Sequence, residues 1–193
     1  MTIQLSKGSS INLTKSVASL TKFVFGLSWD ANSDLDAVAI ITDSSGKILN
    51  PDEAHIAYYG NCTGNTFNAV ANPVKGITHS GDARDGAAEG DDETISIDTT
   101  LVDARFEKII IAVTSYSDGE PQPFCASVHP KAKLYDQNGK VLFEVALDES
   151  AAFSTCVELV ELTKVNGEWS AKNVSNPLGS APNGLADLLA AHK

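Results

Sequence analysis

Apolar residues alternate through residues 21–29, where Phe23, Phe25, Leu27 and Trp29 share one face; period two with aromatic side chains predicts a half-buried strand. Residues 36–42 predict a second strand, with Val38 and Ile40 facing away from Ala39 and Ile41, and it offers the first a pairing partner. The turn-forming Asp43-Ser44-Ser45-Gly46 ends it. Residues 54–59 read as a short aromatic strand, followed by a polar loop over 60–68. Beyond Asn72-Pro73, residues 76–80 and 94–98 predict two brief strands with an acidic loop between them. If the two pair, that loop projects from one end of a sheet.

The most apolar run is 106–114, with Ile109, Ile111 and Val113 on one face and Ile110 and Ala112 on the other, as expected of a central strand. Two hairpins follow: 126–135 with 141–147 around Asn138-Gly139, and 155–165 with 168–174 around Asn166-Gly167. The period changes to that of a helix only at the end, where Leu185, Leu188 and Leu189 follow i, i+3, i+4 over about two turns. Short strands, frequent turns and little helix predict an all-β, two-layer β-sandwich with a short C-terminal helix. No linker interrupts the pattern, so residues 1–193 read as one domain, long enough for one sizeable core.

Charge narrows the partners. The chain carries 25 acidic and 14 basic side chains, a net charge of -11, which repels nucleic-acid phosphates and anionic headgroups and favours cations. The total alone is equally explained by a solvated acidic surface, so position matters more. Cys62, Cys125 and Cys156 are odd in number and form no CxxC pair, which suits a reducing compartment. Residues 1–7 lack the regions of a secretory signal, and no run approaches about 18 consecutive apolar residues. A cytoplasmic location is therefore expected, and the sequons at Asn12, Asn61 and Asn173 are expected to carry no sugar.

The acidic residues are concentrated. From Gly81 to Glu93, six carboxylates accompany one arginine, Arg84, so like charges crowd together unless a cation joins them. Calcium takes six to eight oxygens at about 2.3–2.6 Å, which a loop of carboxylates and exposed carbonyls supplies better than the near-octahedral shell of magnesium allows. Gly81, Gly86 and Gly90 let the backbone turn sharply. Asp34 and Asp36 point to one side of an extended backbone while Leu35 points to the opposite layer, and Asp30 and Asn32 stand near enough in sequence to add oxygens. This is no EF-hand, because the sixth position from Asp30 is Leu35 and the twelfth is Ile41. Each cluster alone is also a plausible solvated loop or polar strand end; together they make a site only if the fold joins them.

Other chemistry has less support. His55, His79, His129 and His192 form no HExxH pair and have no close cysteine, so core or surface hydrogen bonding is preferred to zinc binding. His79 is near enough to the acidic loop to orient a carboxylate. Arg84 reads as a local charge balance. Ser127 and His129 lack an orienting acid and an oxyanion hole, and there is no nucleotide-binding glycine motif. Trp29 and Trp169 are expected in the core or on a sheet surface, Cys125 and Cys156 as inert small hydrophobes, and Cys62 as open to oxidation.

Ser6-Lys7-Gly8, Gly26-Leu27-Ser28-Trp29-Asp30, Asp34-Leu35-Asp36-Ala37, His79-Ser80-Gly81-Asp82, Gly90-Asp91-Asp92-Glu93, the run from Glu107-Lys108-Ile109 to Thr114, and Gly167-Glu168-Trp169 occur in this order. Across nearly the whole chain they resemble the TerD family of tellurite-resistance and stress-response proteins. The resemblance implies a β-sandwich with calcium ions near one end. Carried over residue by residue, it implies side-chain ligands at Asp34, Asp36, Asp82, Asp91, Asp92 and Glu93, with a backbone contribution from Gly86. Ala83 replaces a frequent asparagine and Ala88 a frequent glycine; Asp85 and Glu89 offer extra carboxylates. The connection from Trp29 to Asp34 is short, with Ser33 where an aromatic residue is common.

The resemblance further implies a calcium-binding stress-response protein without an agreed catalytic activity, associated with tellurite resistance and with colicin or phage defence. Its expected partners are proteins of a stress-response complex, including membrane-proximal, peripheral assemblies. A calcium-responsive interaction module leads over a constitutive structural scaffold, and over a metal-dependent hydrolase whose carboxylates would activate water.

Overall fold

The computed structural model describes residues 2–30, 33–48, 55–67, 70–87, 89–103, 106–126, 130–147 and 149–193. One six-stranded sheet runs, edge to edge, through Ile3–Gln4 (β1), Val141–Ala146 (β10), Lys131–Asp136 (β9), Lys22–Ser28 (β3), Glu93–Asp98 (β7) and Ile77–His79 (β6). The other runs through Ser10–Asn12 (β2), Glu168–Leu178 (β12), Cys156–Val165 (β11), Lys108–Tyr116 (β8), Asp34–Thr42 (β4) and Ile56–Ala57 (β5). Between them, Phe23, Phe25 and Leu27 of β3 join Leu35, Ala37, Ala39 and Ile41 of β4 in the main core, making the all-β two-layer sandwich that the alternation predicts.

A second apolar cluster lies outside the second sheet. Helix α2, Gly184–Ala191, places Leu185 and Leu188 over Val38, Ile40, Ile110, Ala112 and Cys156. β4 and β8 are therefore covered on both faces, which is why their sequences are apolar at nearly every position. β8 is central, between β4 and β11, as expected.

The expected pairing of β3 with β4 does not occur. β3 pairs with β7 and β9, whereas β4 pairs with β8 and β5, so the chain crosses between layers after Trp29. Their apolar faces explain the outcome: side-by-side pairing would leave the aromatic face of β3 uncovered, while opposite layers bury it against β4. The Trp29 indole Nε1 donates to the Ser33 carbonyl at 2.9 Å within this buried crossing.

Several boundaries also shift. β6 and β7 pair as expected, with His79 opposite Ile95, but β9 begins at Lys131; Phe124–Ala126 form a single 3-10 turn and residues 127–129 lie outside those described. The last hairpin is the predicted one, with positive φ at Asn166 and Gly167. β5 spans only two residues, and after Tyr58 the residues Tyr59–Asn61 are a 3-10 turn; Ala54 is outside the described residues. A one-turn helix, Leu13–Ser16 (α1), escapes the sequence reading because four residues carry no readable period; the Asn12 side chain caps it by accepting from the Lys15 N–H at 2.8 Å. The cysteine expectation is reversed for two residues, with Cys62 fully buried and Cys125 exposed. Among the described residues, no helix is long and apolar enough to cross a membrane.

Candidate metal centre

β5 pairs with β4 only at Ala39 and Ile40, so among the described residues the first half of β4 has no strand on that side. Side chains from the opposite sheet satisfy the exposed backbone instead. Glu93 of β7 accepts the Ala37 N–H through Oε2 at 2.7 Å, and His79 of β6 places Nε2 3.0 Å from the Ala37 carbonyl oxygen. The second Glu93 oxygen, Oε1, accepts the Ala83 N–H at 3.0 Å and so anchors the acidic loop to the same point. Glu93 and His79 are both inaccessible to solvent, with Nε2 and Oε2 3.4 Å apart.

Burial opposes charge on His79, but hydrogen bonds to Cys62 and Glu93 outweigh it and lift its pKa to about 10. The Gly81 N–H also lies 3.3 Å from Nδ1, a contact that only an unprotonated Nδ1 can accept. Nε2 carries a proton in either state, since it faces both the Ala37 carbonyl and, at 3.4 Å, Glu93 Oε2.

Above this pair, Asp34 and Asp36 leave the outer face of β4, and the loop after β6 brings Asp82 to them. One carboxylate oxygen from each lies within 4.8 Å of the others. Asp36 is only 2% exposed, and its Oδ2, like Asp34 Oδ1, is buried without a hydrogen-bond partner among the described residues. Burial raises the Asp34 pKa to about 6, aided by the charges of Asp82 and Glu93. Burial also pushes Asp36 well above its ordinary range, reinforced by Glu93 and Asp34. Asp82 is held more loosely, accepting from Asn65 Nδ2 at 3.2 Å and lying 3.7 Å from Arg84 Nε.

These residues fit a hard divalent cation: all three donors are oxygen, they converge, and two present buried atoms with no other partner.

The remaining predicted ligands are not part of this trio. Asp92 Oδ2 accepts the Trp29 N–H at 3.0 Å, while the Asp92 N–H donates to Leu27 O at 2.8 Å, fastening the crossing between sheets. Gly86 packs on that crossing so closely that a Cβ would stand 2.2 Å from Trp29 O. Asp91 lies over Gly26 on the outer face of the first sheet and accepts the Tyr135 hydroxyl at 2.6 Å; its Oδ1 is buried and unpartnered. Asp30 is exposed, Asp85 accepts the Ala87 N–H, and Asn32, Ala88, Ser127 and His129 are outside the described residues. The contacts of Asn65 with Asp82 and of Tyr135 with Asp91 had no signal in the sequence, being made across 17 and 44 positions.

The family model of the TerD domain matches residues 1–192. The chain belongs to the TerD family. This TerD chain is 35% identical to the uncharacterized protein YceE of Bacillus subtilis, over 97% of this chain and 96% of that one. It is 31% identical to general stress protein 16U of the same organism, over 88% and 87% of the two chains. Identity to the tellurium resistance protein TerD of Serratia marcescens is also 31%, over 98% and 96%. A solved homologue of telluride resistance protein from Streptomyces coelicolor shares the fold, with a TM-score of 0.65 at 16% identity, over 85% of this TerD chain and 94% of that one.

Proposed function

We propose that this TerD protein is a calcium-binding, non-catalytic interaction module of a stress response, with tellurite resistance as one setting. The observation that carries the metal reading is the buried, unpartnered Asp36 Oδ2, converging with Asp34 and Asp82. Asp34, Asp36 and Asp82 would hold the ion, and Glu93 would keep β4 and the acidic loop at the spacing it needs. Calcium supplies positive charge that relieves the repulsion among the carboxylates, and its binding free energy adds to that of folding. Asp92 and Gly86, on the Trp29 crossing, and Asp91, against Gly26 and Tyr135, are the remaining proposed ligands.

The stress and tellurium relatives support the biological setting. Within it, the acidic rim, ordered by calcium, presents a surface to protein partners in a cytoplasmic complex that includes peripheral, membrane-proximal assemblies. Calorimetric titration of calcium into chelator-stripped protein tests the reading. Saturable binding, lost in Asp34→Ala and weakened in Asp92→Ala, is the expected result; no heat of binding in the wild type, with the fold intact by circular dichroism, would overturn it.

A further inference from the structure

The three carboxylates occupy one end of a much larger space. They border an open cleft of about 610 Å³ whose other walls include Tyr59, Phe67 and Tyr116. A water molecule's share of liquid is about 30 Å³, so an ion with a few waters leaves most of this cleft for something else. The volume lies within the roughly 300–1,000 Å³ used by small organic ligands.

The walls limit the chemistry of that ligand. Tyr59 has its ring centroid 6.1 Å from that of Phe67 and 6.2 Å from that of Tyr116, so the three form one aromatic wall. Phe67 remains 65% exposed even with Tyr59 at its edge, so much of this apolar ring faces the cleft and solvent. Among the described lining residues, the charged groups are Asp34, Asp36, Asp82, Asp118 and Arg84. One divalent ion would leave the lining with a single net negative charge, which favours neither a phosphate nor a strongly cationic ligand. Asp118 Oδ1 accepts the Tyr116 hydroxyl at 2.7 Å, and the carboxylate retains capacity to accept from a ligand.

Hydroxyl groups suit such a lining, because they donate to carboxylates without bringing charge. Aromatic rings suit a ligand with an apolar C–H face. Resting on the calcium reading above, we propose that the cleft binds a neutral polyhydroxylated ligand of the saccharide class. Its ring face lies on the wall of Tyr59, Phe67 and Tyr116, and its hydroxyls donate to Asp118 and neighbouring carboxylate oxygens.

The test uses the full chain saturated with calcium, with methyl α-mannoside, methyl β-galactoside and ribose as probes, and inorganic phosphate and free arginine as charged comparators. Saturation-transfer NMR is expected to show at least one saccharide binding, with the strongest transfer at ring C–H protons. Phe67→Ala should weaken that binding about fivefold, the scale of one lost aromatic contact. Asp118→Asn should weaken it as well, whereas Phe153→Ala, which removes a ring 84% exposed outside the cleft, should not. The calcium titration of the Phe67 variant should match the wild type, since Phe67 is uncharged and outside the carboxylate trio; Asp118→Asn removes a charge that acts on Asp34, so its saccharide binding is read at saturating calcium.

Calcium binding with no saturable saccharide binding would overturn this inference alone. So would tighter binding of phosphate or arginine than of every saccharide, or saccharide binding indifferent to both Phe67→Ala and Asp118→Asn. Absence of both calcium and saccharide binding would overturn this inference and the proposed function together. Saccharide binding with no calcium binding would overturn the proposed function and leave the cleft assignment standing.

Discussion

Glu93 accepts the backbone N–H of Ala37 at 2.7 Å, across 56 positions of sequence and from one sheet of the sandwich to the other. With Oε1 taking the Ala83 N–H, one buried carboxylate joins β4, β7 and the acidic loop. These bonds link the loop that carries Asp82 to the strand that carries Asp34 and Asp36.

Replacing Glu93 separates structure from charge. Glu93→Ala leaves two backbone donors without their acceptor and should cost about 2–5 kcal/mol in urea unfolding of metal-free protein. Glu93→Gln keeps an amide oxygen for one donor and should cost less, while still weakening calcium binding. Equal stability of the alanine variant and the wild type would show that Glu93 does not tie the sheets together.

Asp36→Asn should have opposite effects with and without metal. The raised pKa of Asp36 means that its ionised form is disfavoured in the folded chain, so the amide should stabilise metal-free protein at pH 7. A rise of a few degrees in Tm is expected, at roughly 2–4 °C per kcal/mol for a chain of this size. The same variant should lose the Tm increase that calcium gives the wild type. A metal-free variant less stable than the wild type would contradict this account.

Asp34 gives the pH dependence a definite sign. Its carboxyl releases a proton near 3.8 when unfolded and near 6 when folded, so between those values the native state binds more protons. Its contribution therefore makes metal-free stability fall as pH rises through that window. The free-energy difference between wild type and Asp34→Asn, measured in urea from pH 4 to 7 with chelator, should grow in favour of the variant. Calcium should reverse the trend by favouring the carboxylate.

A second titrating contact fastens α2. His192 Nδ1 lies 2.6 Å from the Gly46 carbonyl oxygen and its Nε2 contacts Glu158 Oε1, so the ring must donate from both nitrogens and carry a charge. Burial opposes that charge, but the bonds to Glu158 and Gly46 outweigh it and raise the His192 pKa above 6.5. Burial would likewise raise Glu158, yet the bonds from His192 and Asn176 outweigh it and hold its pKa below 4.5. The His192 contribution is complete below about pH 6.5 and lost as pH rises through the elevated value; that of Glu158 is complete above about pH 4.5 and lost as pH falls through the depressed one. His192→Ala should cost about 2 kcal/mol near pH 6 and progressively less in alkaline buffer, measured by urea unfolding. A cost that did not shrink with rising pH would show that the charged pair does not hold α2.

Gly86 and Gly26 should respond differently to alanine. At Gly86 the new Cβ meets backbone, Trp29 O at 2.2 Å, so the crossing between sheets must move; about 1–3 kcal/mol and weaker calcium binding are expected. At Gly26 the obstacle is the Asp91 carboxylate, which can rotate away and give up Tyr135. Thermal unfolding of both variants should therefore show the larger loss for Gly86→Ala.

The strands of the two late hairpins, the central run of isoleucines and the α2 helix were readable because each signal is local: an alternation, an Asn-Gly pair, a leucine spacing. The acidic residues were readable as a composition, and the TerD motifs gave them an expected role. Hidden from that reading were the separation of β3 from β4, the burial of Cys62 and the bonds that Glu93 and His79 make to Ala37. Nothing near Glu93 in sequence distinguishes it from Asp91 or Asp92, although its side chain is completely buried.

Residue order alone determined the alternation that makes a sandwich, the turn positions, and the stock of carboxylates suited to a hard cation, because backbone geometry and side-chain chemistry act over a few neighbouring residues. Only the tertiary structure decided which carboxylates converge. It brought Asp34, Asp36 and Asp82 together, set Asp91 against Gly26 and Tyr135, and set Asp92 on Trp29, because the two sheets must bury their apolar faces against each other and the loops follow wherever that packing leaves the strand ends.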